Sequence, residues 1–229
     1  MRTLKRCLQK CWAIGVVGLI SLGACSLEKD AGCDADATRD LRNAAAIGNP
    51  QAQNDFARMY EYGECVSRDF DEAAKWYHAA ASQGHANAQK VLGFMYAGGV
   101  GVPQNSTEAV NWFRKAAEQG HPEAQVGLGL AYFRGAGVTR NLHQARVWFE
   151  RSAIQGYGRG QFNLAHLYES GGGIAQDDVQ AYKWYKLALE AGYPRSSAHL
   201  KVLSERMSRA QIEAANDLAG KWEPEPASP

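Results

Sequence analysis

The six histidines are the side chains best suited to bind a metal ion or to carry a proton in this 229-residue chain. His85 and His121 lie 36 residues apart, but the next two positions of that series are Tyr157 and Tyr193. Because a metal site needs several ligands brought together, the tyrosines favour a structural position over a metal pair. The other four show no ligand spacing: His78, His143, His166 and His199. We predict no metal and no cofactor.

A candidate nucleophile occurs near the N-terminus, where Ser26 and Lys29 form the Ser-x-x-Lys pattern found in penicillin-interacting enzymes. No Lys-Thr-Gly element follows it, and the chain has neither a Gly-x-Ser-x-Gly sequence nor a phosphate-binding loop. We interpret the pattern as a coincidence. The sequence predicts no catalytic residue, and a protein that is not an enzyme.

Residues 1–24 are typical of a secretory signal peptide. Four basic residues precede an apolar run from Cys11 to Ile20, which is shorter than the roughly 18 residues of a membrane-spanning helix. An uncleaved anchor is the alternative. The sequence Leu22-Gly23-Ala24-Cys25 resembles a bacterial lipoprotein box, which implies diacylglycerol on Cys25 and a lipidated linker over residues 25–37. Ser26, where aspartate would mark inner-membrane retention, implies an outer-membrane anchor facing the periplasm.

Removal of the signal peptide changes the charge and the cysteine count. It takes away four basic residues and no acidic one, so the formal charge falls from +1 to −3 and leaves no basic field for nucleic acid. Once Cys25 is lipidated, only Cys33 and Cys65 remain. In an oxidising compartment such a pair favours a disulfide over a metal site, with two buried free thiols as the alternative. A bridge would hold the N-terminal capping segment on the first repeat.

These residues are placed by a repeat of 36 residues. Several columns keep this period, among them Trp76, Trp112, Trp148 and Trp184; Tyr60, Tyr96, Tyr132 and Tyr168; Gly84, Gly120, Gly156 and Gly192; and Gln53, Gln89, Gln125 and Gln161. Self-similarity at a fixed period of this length predicts a solenoid of stacked units. Function in such a chain is expected on an extended surface.

Each unit is predicted to hold two helices, A and B, separated by glycine-rich loops. In the second unit helix A covers about residues 86–96 and helix B about residues 106–119. Each helix B begins with a capping-box pattern: Asp69 with Glu72, Asn105 with Glu108, Asn141 with Gln144, and Asp177 with Gln180.

The repeated segments resemble the Sel-like repeat family, through Ala-x-x-x-Leu-Gly-x-x-Tyr-x-x-Gly-x-Gly-Val in helix A and Ala-x-x-Trp-Phe-x-x-Ala-Ala-x-x-Gly in helix B. The resemblance covers about residues 49–193, and it implies an all-α, right-handed α/α superhelical solenoid of about four repeats with helix A on the concave side. A capping helix is expected over 38–48, a capping helix pair over 194–222, and a disordered tail over 223–229.

The helix-A positions that vary between repeats indicate where a partner could bind. An apolar patch is expected on the concave side, and such a patch often marks a binding site. The predicted partner-binding residues are Lys90, Phe94, Val126, Leu130, Phe133, Phe162 and His166. Tight helix packing is the alternative explanation of this patch.

Three functions are compatible with this surface. We favour a non-enzymatic periplasmic adaptor that binds an envelope protein or peptide. An enzyme that binds or hydrolyses β-lactams is the second, because some cysteine-rich relatives of the Sel-like family are credited with that activity. Those relatives carry a cysteine pair in nearly every repeat, whereas one pair at most is present here. The third is a structural spacer associated with peptidoglycan.

Overall fold

The computed structural model describes residues 33–225, and regular structure in this range is entirely helical. The helices, in chain order, are α1 (Ala35–Ala46), α2 (Pro50–Tyr62), α3 (Phe70–Ser82), α4 (Ala86–Gly98), α5 (Ser106–Glu118), α6 (Pro122–Arg134), α7 (Leu142–Ile154), α8 (Gly158–Ser170), α9 (Asp178–Glu190), α10 (Ser196–Arg206) and α11 (Arg209–Gly220). The predicted all-α fold is confirmed. None of these helices is long and apolar enough to cross a membrane. The signal peptide and Cys25 lie outside the described residues.

Helices α2 to α9 form four A–B pairs, in which α2, α4, α6 and α8 are the A helices. Each A helix packs on its own B helix and on the B helix of the preceding unit. Helix α4 also contacts α6, and α6 contacts α8, whereas no two successive B helices of the described chain make comparable contact. Successive A helices of repeats two to four therefore pack closer to one another than successive B helices do.

The capping-box prediction is correct for one half of the motif at the four B helices. The side chain of Asp69 accepts from the backbone N–H of Glu72, and Asn105, Asn141 and Asp177 repeat this bond. The expected return bond from residue N3 is replaced, because the backbone N–H of each capping residue donates to a tyrosine carbonyl of helix A at 2.9–3.0 Å. Those carbonyls belong to Tyr60, Tyr96, Tyr132 and Tyr168. The tyrosine column thus joins the end of each A helix to the start of its B helix. A complete capping box occurs at Ser208 and Gln211.

The loop between helices A and B needs a left-handed residue at one fixed position. Gly101, Gly137 and Gly173 hold it with φ of 66°, 74° and 82°, and a Cβ added at Gly101 would lie 2.1 Å from the carbonyl oxygen of Phe70. A side chain is therefore excluded where this loop meets the preceding B helix. In the first repeat the position is Cys65, with φ of 60°. Cys33 and Cys65 are disulfide-bonded, as the sequence predicted.

A ladder of buried glutamines connects successive units. Each A-helix glutamine donates through Nε2 to a carbonyl near the end of the helix before it, as Gln89 does to Ala81 at 3.0 Å. The glutamine that directly follows each of three B helices donates back to an A-helix glutamine, as Gln119 does to Gln89 Oε1 at 2.7 Å. The full pairs are Gln83 with Gln53, Gln119 with Gln89, and Gln155 with Gln125. The ladder stops at Gln161, whose buried Oε1 has no partner among the described residues, because the next donor position is Ala191.

The C-terminal helices close the stack. Leu203, Met207, Ala215 and Ala219 are buried in the same core as Trp184 and Tyr185 of the last repeat. After α11 the ring of Trp222 lies 5.9 Å from that of Trp184, and the N–H of Glu225 donates to the Ile154 carbonyl at 2.8 Å. Residues 226–229 lie outside the described range.

Candidate functional site

Two neighbouring apolar grooves open among the A and B helices of repeats two to four. The first, which we call the central groove, lies among α4, α5 and α6 and has a volume of about 330 Å³. Its lining includes Phe94, Ala97, Phe113, Leu130 and Arg134. Its floor depends on Gly127, because a Cβ added there would lie 2.9 Å from the Phe113 ring.

The second groove, the distal groove, lies among α6, α7 and α8 and has a volume of about 200 Å³. It is lined mainly by Leu130, Phe133, Phe162, His166 and Arg134. Leu130 and Arg134 line both grooves, so α6 forms the wall between them.

Five of the seven residues predicted to bind a partner line these grooves. Phe94 is 37% exposed and meets Phe113 edge to face, with ring centroids 4.8 Å apart. The other four are half-buried: Leu130, Phe133, Phe162 and His166.

The other two predicted residues lie elsewhere. Val126 is 1% exposed and belongs to the core, so its surface is not accessible in this structure. Lys90 forms an ion pair with Glu123, at 3.0 Å between Nζ and Oε2, and its side chain is 16% exposed. Ala97, Phe113 and Arg134 also line the grooves, although the sequence pattern did not predict them. Arg134 could have been found from its spacing, since it lies one helical turn after Leu130 on the same face.

Polar pairs mark both ends of the apolar stretch. In the first repeat the Tyr77 hydroxyl donates to Glu61, and in the fourth the Tyr185 hydroxyl donates to Glu169 at 2.7 Å. Burial and the hydrogen bond to the carboxylate raise the pKa of both tyrosines, so each phenol remains a donor. The same two columns hold Ala97 with Phe113 and Phe133 with Phe149 in the middle repeats. At these two columns, the apolar side chains are therefore found in the middle repeats and the polar pairs in the first and fourth.

The repeat period, the helix pairs and the A-helix surface together permit a comparison with known proteins. A family model of the Sel1 repeat matches residues 50–85, 86–121, 122–157 and 158–193. The chain belongs to the Sel1 repeat family. This confirms the resemblance found in the sequence, with nearly the same boundaries. Proteins built from Sel1 repeats are generally scaffolds for protein–protein interaction.

Solved structures agree with this assignment. The chain is similar to a Sel1 repeat protein from Oxalobacter formigenes, at 31% identity and a TM-score of 0.71, over 82% of this chain and 79% of that one. It is also similar to c5321, a protective antigen of uropathogenic Escherichia coli strains with an SLR fold, at 26% identity and a TM-score of 0.56. That alignment covers 81% of this chain and 48% of the antigen, so the chain spans about half of its length. No curated protein matches the chain.

A cluster of rings closes the end of the distal groove in the fourth Sel1 repeat. His199 stacks on Tyr185 with centroids 4.6 Å apart, and its Nδ1 lies 2.9 Å from Glu169 Oε2. The Phe162 ring meets His199 edge to face at 5.3 Å. Across the described residues, no three His, Cys, Asp or Glu side chains are grouped so that they could hold a metal ion. The cluster is a packed wall in which Glu169 has two hydrogen-bonding partners.

Arg134 is the positively charged side chain that lines both grooves. Neither lining includes an aspartate, a glutamate or a lysine. Within residues 33–225 the Arg134 side chain makes no ion pair or hydrogen bond, although it is exposed. Arg58 and Lys90, which precede it on the A helices, are paired with Asp55 and Glu123. The two linings thus combine apolar side chains with a few polar ones, such as Asn163 and His166, and Arg134 is the unpaired positive charge between the grooves within the described chain.

Proposed function

We propose that this Sel1 repeat protein is a non-enzymatic adaptor that binds a segment of another protein in the central and distal grooves. The observation that carries the proposal is the pair of adjoining apolar grooves on the A-helix side of repeats two to four. Their walls include exposed or half-buried aromatic rings that no neighbouring helix covers completely. Exposed apolar surface of this kind is typical of a protein-binding site.

The size of the grooves favours side chains as their occupants. Sites for small organic ligands usually have volumes of about 300 to 1,000 Å³ and enclose most of the ligand. The central groove, at about 330 Å³, is at the lower end of this range, and the distal groove, at about 200 Å³, is below it. Two small adjoining depressions are suited to two anchoring side chains of one partner.

We further propose that the adaptor acts at the periplasmic face of the outer membrane, held by lipid on Cys25. The support is the sequence of the first 25 residues together with the disulfide-bonded Cys33 and Cys65, which suit an oxidising compartment. The partner would then be an envelope protein or peptide. Association with peptidoglycan, as a structural spacer, is the alternative tested below.

The decisive experiment is site-specific crosslinking in the native host. Photoreactive residues at Ala97 in the central groove and Asn163 in the distal groove should capture the same envelope protein. Replacing Phe94 and Leu130 by serine should abolish capture while helical content, measured by circular dichroism, is unchanged. The matched control is Val202→Ser, which alters a residue that is 51% exposed outside both grooves.

Three results would contradict the adaptor proposal. Undiminished capture by the double variant would place the partner elsewhere. Loss of helical content would show that Phe94 and Leu130 hold the core together. Capture of cell-wall fragments alone would favour the spacer.

A further inference from the structure

The central and distal grooves have a common wall, and this permits one occupant to fill both. Leu130 and Arg134 lie one turn apart on α6 and line each groove. Phe94 and Phe113 complete the wall of the central groove, and Phe162 belongs to that of the distal groove. A segment that crosses α6 therefore passes Arg134 between two apolar depressions.

The charge of this wall favours an anion. Arg134 is exposed and unpaired within the described chain, and no carboxylate lines either groove. Glu169, beyond the distal groove, is already bound by Tyr185 and His199. A guanidinium can bind a carboxylate through two parallel N–H donors. Because Arg134 is exposed, the contribution of this pair is modest and falls as salt screens it.

The spacing of the two grooves limits the conformation of the occupant. They flank the ridge that Leu130 and Arg134 form on α6, one towards α4 and one towards α8, so their centres are separated by roughly one interhelical distance of about 8–10 Å. An extended polyproline II peptide returns to the same face after three residues, a rise of about 9 Å.

We infer that the grooves bind an extended, acidic peptide segment with two apolar side chains three residues apart and a carboxylate between them. The apolar side chains enter the central and distal grooves, and the carboxylate pairs with Arg134. This inference rests on the proposed adaptor function and specifies the chemistry of its partner.

Fluorescence anisotropy with the purified full chain tests the inference directly. The probe is a fluorescein-labelled peptide of sequence Gly-Ser-Phe-Asp-Ser-Phe-Ser-Gly, compared with the same peptide carrying asparagine in place of aspartate. The aspartate peptide should bind about fivefold more tightly, and the difference should shrink as the NaCl concentration rises. A third peptide, with the two phenylalanines only two residues apart, should bind more weakly than the first.

Two arginine variants identify the charge that matters. Arg134→Gln should reduce the affinity for the aspartate peptide to that for the asparagine peptide. Arg140→Gln removes a nearby exposed charge that lines neither groove, and whose Nε donates to the Phe133 carbonyl, so it should leave the difference unchanged.

Each opposite result has a separate meaning. Equal binding of the aspartate and asparagine peptides, or full binding by the Arg134→Gln protein, overturns the carboxylate pairing. Absence of binding by all three peptides overturns the extended apolar segment. If crosslinking from Ala97 still captures an envelope protein, the adaptor function stands although this inference fails; if crosslinking captures nothing either, both fail.

Discussion

At the scale of single residues, the first repeat differs from the others where glycine is replaced by Cys65. Its φ of 60° is close to the values of Gly101 and Gly137, so this residue pays the conformational cost that glycine avoids. It also supplies the sulfur of a disulfide. The two effects oppose each other, and substitution can separate them.

We predict different stabilities for two variants of this residue. Cys65→Ser loses the disulfide, at a cost of about 2–4 kcal/mol, and keeps a side chain on the left-handed backbone. Cys65→Gly loses the same bond but relieves the backbone, so it should be more stable than Cys65→Ser by about 1 kcal/mol. Urea unfolding under oxidising conditions measures both. Equal unfolding free energies would show that the left-handed backbone carries no strain at this position.

At the scale of helices, the glutamine ladder shows how neighbouring units are held in register. Gln89 and Gln125 each donate to a B-helix carbonyl and accept from the glutamine that directly follows the next B helix. Gln161 makes only the first of these bonds, since Ala191 offers no donor. The fourth repeat therefore retains a buried acceptor, Gln161 Oε1, that has no hydrogen-bond donor within residues 33–225.

The ladder predicts a stabilising substitution at its open end. Ala191 has φ of −75° and ψ of 10°, close to Gln155 at −77° and 2°, and it is exposed. Ala191→Gln should donate to Gln161 Oε1 and stabilise the fold by about 0.5–1.5 kcal/mol. The reverse change, Gln155→Ala, should leave Gln125 Oε1 unpaired and destabilise by about 1–3 kcal/mol. Thermal and urea unfolding would contradict the ladder if both variants matched the parent chain.

At the scale of the whole molecule, the stack is a linear array whose ends are covered by α1 and by α10 with α11. Contacts join each unit to its neighbours, so the stability of one unit depends mainly on the units directly beside it. Leu203 of α10 is fully buried against the last Sel1 repeat, whereas the adjacent Val202 is 51% exposed.

This arrangement predicts that a destabilising substitution in a capping helix lowers the stability mostly of the helices next to that cap. Leu203→Ala should cost about 2–5 kcal/mol, and Val202→Ala less than about 0.5 kcal/mol. Hydrogen exchange measured by mass spectrometry should show loss of protection in α9 to α11, declining towards α2. A uniform loss over all four repeats would mean that the array opens as a single unit.

The sequence determined most of the fold by itself. The 36-residue period places the same residue types in four successive environments, and the position of each helix is encoded locally by capping residues, glycines and the spacing of apolar side chains. The N-cap bonds at Asp69, Asn105, Asn141 and Asp177 lie where the pattern predicted them. The acceptor for the backbone N–H of each capping residue was not predictable. It is the backbone carbonyl of a tyrosine, and every residue type has such a carbonyl.

Only the tertiary structure decided which variable side chains form the candidate site. Val126 and Phe162 hold the same position of successive repeats, yet Val126 is covered and Phe162 lines the distal groove. Lys90 is neutralised by Glu123 of the next A helix, while Arg134 is left unpaired among the described residues. Exposure and pairing depend on what the neighbouring repeat presents at each point. Sequence spacing fixes the face of a helix, and packing against that neighbour decides whether the face remains open.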